Sequence, residues 1–313
     1  MIHWNRAKPI IVAVICLLGC QPQMRVNPHA LLDVSEQIVV VITPNWTSTT
    51  GTMQRFERAT PTSEWRSLES GIPVVVGRTG IAWGVGFDGV SAEGPHKHEG
   101  DGKAPAGIFP LDTAFGFAPR DSVQSVKLPY VQLLPTTDCV DDTASTHYNT
   151  VVDRASVPRV DWNSAEHMRQ VAQYKIGVIV GYNAAPPVKG RGSCIFLHIW
   201  AGPDSHTAGC TAFDEAKLRD VMMWLDPTKR PLLVQLAAND YANLRVRWKL
   251  PAVKSGAYRR DQAALVPLSA LAIRLARSHM ERSAVLLVSS QPLGIGTSRR
   301  FSSRDSKVSQ PLP

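Results

Sequence analysis

The chain alternates short apolar runs with breaks rich in glycine and proline. Such runs lie at residues 37–44 ("QIVVVITP"), 71–77, 80–86, 126–134, 175–183, 194–200 and 231–237. They are rich in Val and Ile and are bounded by Gly or Pro, which is the pattern of β-strands. No repeat with a period of about 20 to 50 residues is present. The pattern predicts a mainly β fold.

One helix is also predicted, directly after residue 214. Apolar residues recur there at helical spacing, namely Leu218, Val221, Met222 and Leu225. Asp214 precedes them as a candidate N-cap, and an Asp-Pro pair closes the segment. The fold class is therefore mainly β with a few helices.

The run at 194–200 has two different faces. In a strand, alternate side chains project to opposite sides. One side takes Ile195, Leu197 and Ile199, which are all aliphatic and typical of a core. The other side takes Cys194, Phe196, His198 and Trp200. His198 is therefore expected to leave the sheet opposite the core face.

The net charge of the chain is unevenly distributed along the sequence. The chain has 313 residues, 44% hydrophobic and 19% charged, as is usual for a folded soluble protein of one or two domains. Its net charge of +8 is carried by the two ends: residues 254–313 contribute +7 and the first nineteen residues +2, which leaves −1 for residues 20–253. A nucleic-acid partner is not expected, because the body shows no basic stripe with interleaved aromatics.

Both ends of the chain are predicted to lie outside the folded domain. Arg6 and Lys8 precede an apolar run that is too short to span a bilayer, so residues 1–19 are interpreted as a signal peptide. The run ends in "LLGCQ", which is similar to a bacterial lipobox and makes Cys20 the candidate lipidated residue; the alternative is a plain secretory signal cut nearby. Residues 254–313 are rich in Arg and Ser and are expected to be largely disordered, with one helical pattern around 262–282.

Candidate chemistry concentrates in "HIWAGPDSHTAGCTAF", residues 198–213. A metal site would use His198, His206 and Cys210, with His96 and His98 from upstream, but no usual zinc-ligand spacing occurs. We therefore expect no metal and no other cofactor. The Gly-rich segment 96–117 is not a phosphate-binding loop, because Lys97 and Ala104 occupy places that need Gly and Ser or Thr.

Export changes how the cysteines are interpreted. Cys139, Cys194 and Cys210 would meet an oxidising compartment, where thiols often pair. One alternative is a disulfide between Cys139 and Cys194 that leaves Cys210 free. The other is that Cys139 and Cys194 are two free buried thiols.

Cys210 is the candidate nucleophile. Gly209 precedes it and lets a substrate carbonyl approach the backbone. A thiol needs a base to lose its proton, and a neutral imidazole such as that of His198 suits this work. The pair alone is weak evidence, since single histidines on strands and single cysteines are more often structural.

Several separated blocks carry a resemblance to a known family. The run "SCIFLHIW…HTAGCTAF", with "GDGKAPAGIFPLDTAFGF" upstream and "HYNTVVD" between, resembles the catalytic domain of the L,D-transpeptidases, the YkuD-like cysteine enzymes of the bacterial cell wall. The resemblance covers roughly residues 37–251 and is to the divergent branch with "IFLH…TAGC" in particular. It implies the family's β-sandwich catalytic domain.

The resemblance also implies roles for individual residues. Cys210 matches the nucleophile and His198 the general base. Thr207 and Gly209 match the Ser/Thr and Gly of the motif, and Thr207 is expected to be a substrate-binding residue. The backbone N–H groups of Gly209 and Cys210 would face the developing oxyanion. Ala208 and Ala212 stand where the better-known branch has a histidine and an arginine, and His206 does not align with the motif histidine.

The sequence thus predicts an exported, lipid-anchored and monomeric L,D-transpeptidase of the periplasm that acts on peptidoglycan stem peptides. A tether at 20–36 would lead to a catalytic domain at 37–253. Three alternatives stay open: hydrolysis of the same bond as an L,D-carboxypeptidase, a non-catalytic peptidoglycan-binding protein, and a zinc hydrolase that uses His96, His98 and His198.

Overall fold

A computed structural model describes residues 27–87, 90, 94–184 and 186–253. Within these residues the chain forms 15 strands and three α-helices. The predicted fold class, mainly β with a few helices, is confirmed. No helix among the described residues is both long and apolar enough to cross a membrane. The predicted signal peptide, the lipidation site Cys20 and the tail at 254–313 lie outside the described residues.

The strands and helices are numbered in chain order. The strands are β1 (Gln37–Thr43), β2 (Thr50–Glu57), β3 (Arg66–Ser67), β4 (Ile72–Val75), β5 (Ile81–Trp83), β6 (Ala104–Pro110), β7 (Thr113–Gly116), β8 (Tyr130–Gln132), β9 (Thr137–Val140), β10 (Val151–Asp153), β11 (Ala165–His167), β12 (Ile176–Ile179), β13 (Phe196–Ile199), β14 (Thr211–Phe213) and β15 (Leu232–Ala237). The helices are α1 (Pro28–Leu32), α2 (Glu215–Trp224) and α3 (Ala238–Leu244).

Most strands join one sheet of 12 strands. Its order is β5-β6-β15-β1-β2-β4-β14-β13-β12-β7-β8, and β3 pairs with β2 beside this path. The pairs β1–β15 and β13–β14 are parallel, whereas β12 pairs antiparallel with both β13 and β7. A separate three-stranded sheet has the order β10-β9-β11. Side chains from β9 and β13 belong to one small apolar cluster, which also contains Cys210.

The central strands are buried because their residues are apolar on both faces. Every residue of β15 is buried, and β1 is buried except at Ile42. The largest core cluster gathers side chains from these strands and from α2 and α3, and it also contains Trp83, Phe87 and Trp248. A second, smaller cluster contains Phe115, Tyr174 and Phe196 together with all three cysteines of the described residues.

All seven apolar runs contain a strand, although the strands are shorter than the runs. The run at 194–200 keeps only Phe196–Ile199 as strand, and its two faces are distinct as predicted. Ile195 and Leu197 belong to the large core, whereas Cys194 and Phe196 belong to the small cluster. Helix α2 is also confirmed, because the Asp214 carboxylate accepts hydrogen bonds from the amides of Ala216 and Lys217.

The second half of residues 20–36, expected to be a tether, is packed against the domain. α1 lies within it, and Leu32 is buried against the core. The Arg58 guanidinium donates hydrogen bonds to the carbonyls of Leu32 and Ser35, the latter at 2.7 Å. The packed domain therefore begins before residue 37, because an apolar side chain and paired backbone carbonyls fix this segment to the domain.

The two candidate partner cysteines form a disulfide. Cys139 in β9 is bonded to Cys194, with 5.9 Å between their Cα atoms. Cys210 is the free cysteine of the described residues, and it is buried. Of the two alternatives drawn from the sequence, the disulfide is therefore the one that the structure forms, and it links the three-stranded sheet to the segment that enters β13.

Candidate active site

Two adjacent parallel strands bring Cys210 and His198 to the same face of the sheet. His198 in β13 pairs with Ala212 in β14, and Leu197 pairs with Thr211. Cys210 directly precedes β14, so it lies two residues before Ala212 on the side that His198 shares. Ala212 offers only a methyl group next to the imidazole. The register therefore places the thiol on the strand segment next to that of the imidazole, two residues before the residue that pairs with His198.

Backbone hydrogen bonds at Thr207 hold the loop between β13 and β14 to the β4–β5 connection. The Thr207 amide donates to the Val76 carbonyl at 3.0 Å, and the Thr207 carbonyl accepts from the Arg78 amide at 2.8 Å. The Thr207 hydroxyl donates to the Cys210 carbonyl at 2.7 Å and accepts from the Gly209 amide at 3.2 Å. Thr207 thus fixes the turn that carries the nucleophile candidate.

Gly209 makes a close backbone contact that is not expected from the sequence. A Cβ atom at this position would lie 3.1 Å from the Lys103 carbonyl oxygen, so the glycine serves a close approach to the backbone that enters β6. Its N–H group is bonded to the Thr207 hydroxyl and does not face the cavity as an unengaged donor. The predicted oxyanion role of Gly209 therefore requires this bond to be exchanged for one to substrate.

The Cys210 thiol is buried, with 5% of the residue exposed. The Phe196 amide donates a hydrogen bond to its sulfur at 3.3 Å, and the thiol donates to the Cys194 carbonyl at 3.5 Å. Burial raises the pKa of the thiol well above its usual range, and the nearby Glu166 charge raises it further. The Phe196 amide opposes these effects on the pKa by its hydrogen bond to the sulfur. The resting group is a neutral thiol.

The His198 imidazole is buried and neutral as well, with 8% of the residue exposed. Burial lowers its pKa to about 4, since the charged form loses its hydration. Its Nδ1 lies 2.8 Å from the Ile199 carbonyl, which only accepts, so Nδ1 carries the proton. Nε2 then holds the free lone pair that a general base needs.

Tyr174 joins the imidazole, the thiol and a carboxylate. Its ring packs edge-on against the His198 ring, with 5.1 Å between the centroids. Its hydroxyl donates to the Glu166 carboxylate at 2.5 Å and also interacts with Cys210. Burial raises the pKa of Glu166 to about 7, against the lowering effect of the Tyr174 hydrogen bond. This tyrosine therefore couples the nucleophile candidate to a second titratable group.

One cavity of about 360 Å³ exposes these groups to solvent. Cys210, His198, Tyr174 and Glu166 line it, as do the loop residues 205–209. His206 is among the lining residues, although its place in the sequence indicates only a loop residue. A cavity of this size accommodates one or two residues of a peptide.

The segment on the other side of the thiol is fixed by polar side chains. The Asn149 amide oxygen accepts from the Cys194 amide at 2.9 Å, and its nitrogen donates to the carbonyls of Tyr182 and Asn183. The Glu99 carboxylate accepts from Tyr148 and Ser193. These bonds hold Cys194, whose carbonyl accepts from the thiol, in a left-handed conformation with φ of 55°. The residues of "HYN" therefore have an architectural role.

The upstream segment contributes the buried Lys97 to the cavity lining, whereas Asp101 and Lys103 do not line it. Asp101 pairs with Lys97 at 2.6 Å, and Lys103 donates to the Thr79 carbonyl. Of His96, His98 and His198, only His198 lines the cavity. No group of three His, Cys, Asp or Glu side chains among the described residues is arranged to hold a metal ion. The geometry gives the zinc alternative no support.

Comparison with models of known protein families, with curated proteins and with solved structures finds no match to this chain. A functional assignment therefore depends on the residues of the site and on their geometry.

Glu166, Tyr174 and Arg78 are among the cavity residues that are not predicted from the sequence. Glu166 and Tyr174 come from short polar segments without hydrophobic periodicity, and they meet Cys210 from far along the chain. Arg78 follows a predicted strand, but nothing in the sequence indicates that the β4–β5 connection meets the loop at Thr207. A charged residue between two buried strands is the only signal that could have pointed to Arg78.

Proposed function

We propose that the protein is a cysteine acyltransferase that acts on peptidoglycan stem peptides by L,D-transpeptidation. The observation that carries this proposal is the presence of the Cys210 thiol and the neutral His198 imidazole on one face of adjacent strands, in one cavity. The resemblance of residues 37–251 to the L,D-transpeptidases supplies the substrate class, and the finer fold assignment to that family's β-sandwich is part of the proposal.

The first step forms a thioester. The Cys210 sulfur attacks the amide carbonyl at the L-centre of the stem-peptide diamino acid, just before a terminal D-residue, while His198 Nε2 takes the thiol proton. The C–N bond then breaks, and the imidazolium returns the proton to the departing amine, which leaves as D-alanine. The Phe196 amide, bonded to the sulfur at 3.3 Å, stabilises the negative charge that develops there.

The second step resolves the thioester. An amine of a neighbouring stem peptide attacks the carbonyl carbon, gives a proton to His198 and forms a new amide bond. The C–S bond breaks, and the imidazolium returns a proton to the sulfur as the free thiol is restored. If water attacks instead, the product is a trimmed stem peptide. Both steps use only groups of the protein and its substrates.

The resting protonation states favour proton transfer during attack over a preformed ion pair. A thiol with a raised pKa and an imidazole with a pKa of about 4 in the same cavity do not form a thiolate–imidazolium pair at neutral pH. Substrate binding displaces water and brings a polar carbonyl next to the sulfur. The proton therefore moves to His198 as the C–S bond forms.

We also propose that the protein works in the periplasm, anchored to a membrane face by a lipid on Cys20. The support is the order of a charged start, an apolar run and "LLGC" in the first twenty residues. Cell fractionation tests this location: the wild type is expected in the membrane fraction and Cys20→Ala in the soluble fraction. A soluble wild type would contradict the anchor.

Digestion of purified muropeptides tests the reaction. Incubation with the wild type is expected to yield crosslinked dimers with loss of D-alanine, whereas Cys210→Ala gives none. Trimmed monomers alone would assign the enzyme as a hydrolase of the same bond. Muropeptides that bind without any change in mass would instead support a non-catalytic binding protein and contradict the proposed activity.

A further inference from the structure

The two permanent cations that line the cavity differ in their ion pairing. One of them, Lys97, is buried and bonded to Asp101 at 2.6 Å. Arg78 also lines the cavity, and among the described residues no carboxylate lies within ion-pair distance of it. The three carboxylates that line the cavity, those of Glu99, Asp141 and Glu166, all accept hydrogen bonds from hydroxyl groups. The cavity thus offers one guanidinium that is available to an anionic group of a ligand.

Arg78 is held in place next to the nucleophile loop. Its amide donates to the Thr207 carbonyl at 2.8 Å, three residues before Cys210. Its side chain lies over Gly102, where a Cβ atom would come within 2.9 Å of the Arg78 Cγ and Cζ atoms. One guanidinium nitrogen donates to the Gly100 carbonyl at 3.4 Å. A guanidinium has five N–H donors, so most of them remain for a ligand.

The proposed substrate places a carboxylate within reach of this position. The bond to be cleaved precedes the terminal residue, so the free carboxylate lies about one residue beyond the scissile carbonyl, at most about 3.6 Å along an extended chain. A cation that binds this carboxylate must therefore line the same cavity as Cys210. The planar fork of a guanidinium matches a carboxylate with two parallel hydrogen bonds.

We propose that Arg78 binds the terminal carboxylate of the donor peptide and so selects stem peptides that end one residue after the scissile amide. This inference rests on the proposed function. It assigns Arg78 as a substrate-binding residue that favours donors with a free acid at this position over donors that are amidated or extended there.

The test compares two donor peptides that differ only at their end, one with a free terminal D-alanine and one with D-alanine amide. The rate of acyl-enzyme formation on the purified full chain is measured by quenching and intact-mass spectrometry. The wild type is expected to prefer the acid by about tenfold, the worth of one charge-assisted hydrogen bond. In Arg78→Ala the rate with the acid falls by about tenfold and the rate with the amide is unchanged.

Two further variants separate specific binding from general charge and from misfolding. Arg78→Lys is expected to keep part of the preference, because it retains the charge without the fork. Arg219→Ala removes an equal charge from the exposed face of α2, where Arg219 pairs with Glu215 at 3.0 Å, and is expected to keep the full preference.

The possible results are distinguishable. Equal rates for acid and amide in the wild type would overturn the role of Arg78 and leave the proposed function standing. A preference that survives in a folded Arg78→Ala variant would also overturn it. Absence of an acyl-enzyme with either peptide would overturn the proposed function and this inference together.

Discussion

The Tyr174 hydroxyl donates a hydrogen bond of 2.5 Å to the Glu166 carboxylate, next to the Cys210 sulfur. These two residues come from different parts of the fold, Glu166 from β11 and Tyr174 from the turn Ala172–Tyr174 before β12. The thiol therefore has a tyrosine and a carboxylate near it and shares its cavity with His198. The carboxylate and the imidazole are expected to influence its reactivity in different ways.

Removal of the Glu166 charge is expected to make Cys210 more reactive. Glu166 raises the pKa of the thiol, so Glu166→Gln increases the thiolate fraction, and alkylation by iodoacetamide at a pH of about 8.5 is expected to speed up by up to about tenfold. Glu99→Gln is the matched control in the same cavity and is expected to change the rate by less than about twofold, because Glu166, and not Glu99, is the carboxylate whose charge raises the pKa of the thiol. A slower reaction in Glu166→Gln would contradict this description of the thiol.

The buried His198 is expected to make the fold acid-sensitive. Its pKa is about 4 in the folded protein against 6.5 ordinarily, so the unfolded chain binds more protons between these values. The stability is fully present above pH 6.5 and falls by about 3 kcal/mol as the pH drops towards 4, at 1.36 kcal/mol per pKa unit. Urea unfolding at pH values of about 7.5 and about 4.5 is expected to show this loss in the wild type and its absence in His198→Gln.

In the difference between the wild type and His198→Gln, the contributions of the other titrating groups to the pH dependence of stability cancel. Glu166, with a pKa raised to about 7, acts in the opposite direction, since the folded state binds its proton more tightly as the pH falls. It is present in both proteins and cancels in the difference. Parallel pH profiles for the wild type and His198→Gln would show that His198 titrates normally.

The Thr207 hydroxyl is expected to be needed for the geometry of the nucleophile loop. Thr207→Val keeps the shape but leaves the Cys210 carbonyl and the Gly209 amide without their partner, at a cost of about 1 to 3 kcal/mol in unfolding free energy. Acylation is expected to slow in parallel. Thr207→Ser retains the hydroxyl and should restore both quantities; a Thr207→Ser variant as impaired as Thr207→Val would contradict the role of the hydroxyl.

The Cys139–Cys194 disulfide is expected to stabilise the domain and the site. Its cysteines are 55 residues apart, and for a loop of this length the chain-entropy model gives about 4 kcal/mol. The double variant Cys139→Ser, Cys194→Ser is expected to lose about this much in urea unfolding, and its acylation rate should fall because the Cys194 carbonyl accepts from the thiol. A double variant with unchanged acylation would show that the bridge does not position Cys210.

Local patterns account for much of the fold. The central strands β1 and β15 are continuous apolar runs, and α2 has both an apolar stripe and an Asp cap, so single segments carry enough information. β9, β10 and β11 are not predicted, because they are short and contain several polar residues. Contacts between distant segments hold these strands, among them the fully buried Asp138 that accepts from Arg154 and from Trp162.

In the candidate site, too, some residues are predicted from local patterns and others depend on contacts between distant segments. Cys210 and His198 are found from the sequence because one short motif contains both, and their common face follows from the strand period. Glu166, Tyr174 and Arg78 enter the cavity from other elements through long-range packing, which no spacing in the sequence encodes. The close approach of Gly209 to the Lys103 carbonyl is another such long-range contact.

Covalent labelling of Cys210 tests the central claim most directly. The purified protein is incubated with a carbapenem, whose strained amide acylates an activated thiol, and is then weighed and mapped by mass spectrometry. The account predicts one adduct per chain on Cys210, absent from Cys210→Ala and strongly slowed in His198→Gln. A folded wild type that gains no mass, or an adduct whose rate does not depend on His198, would contradict it.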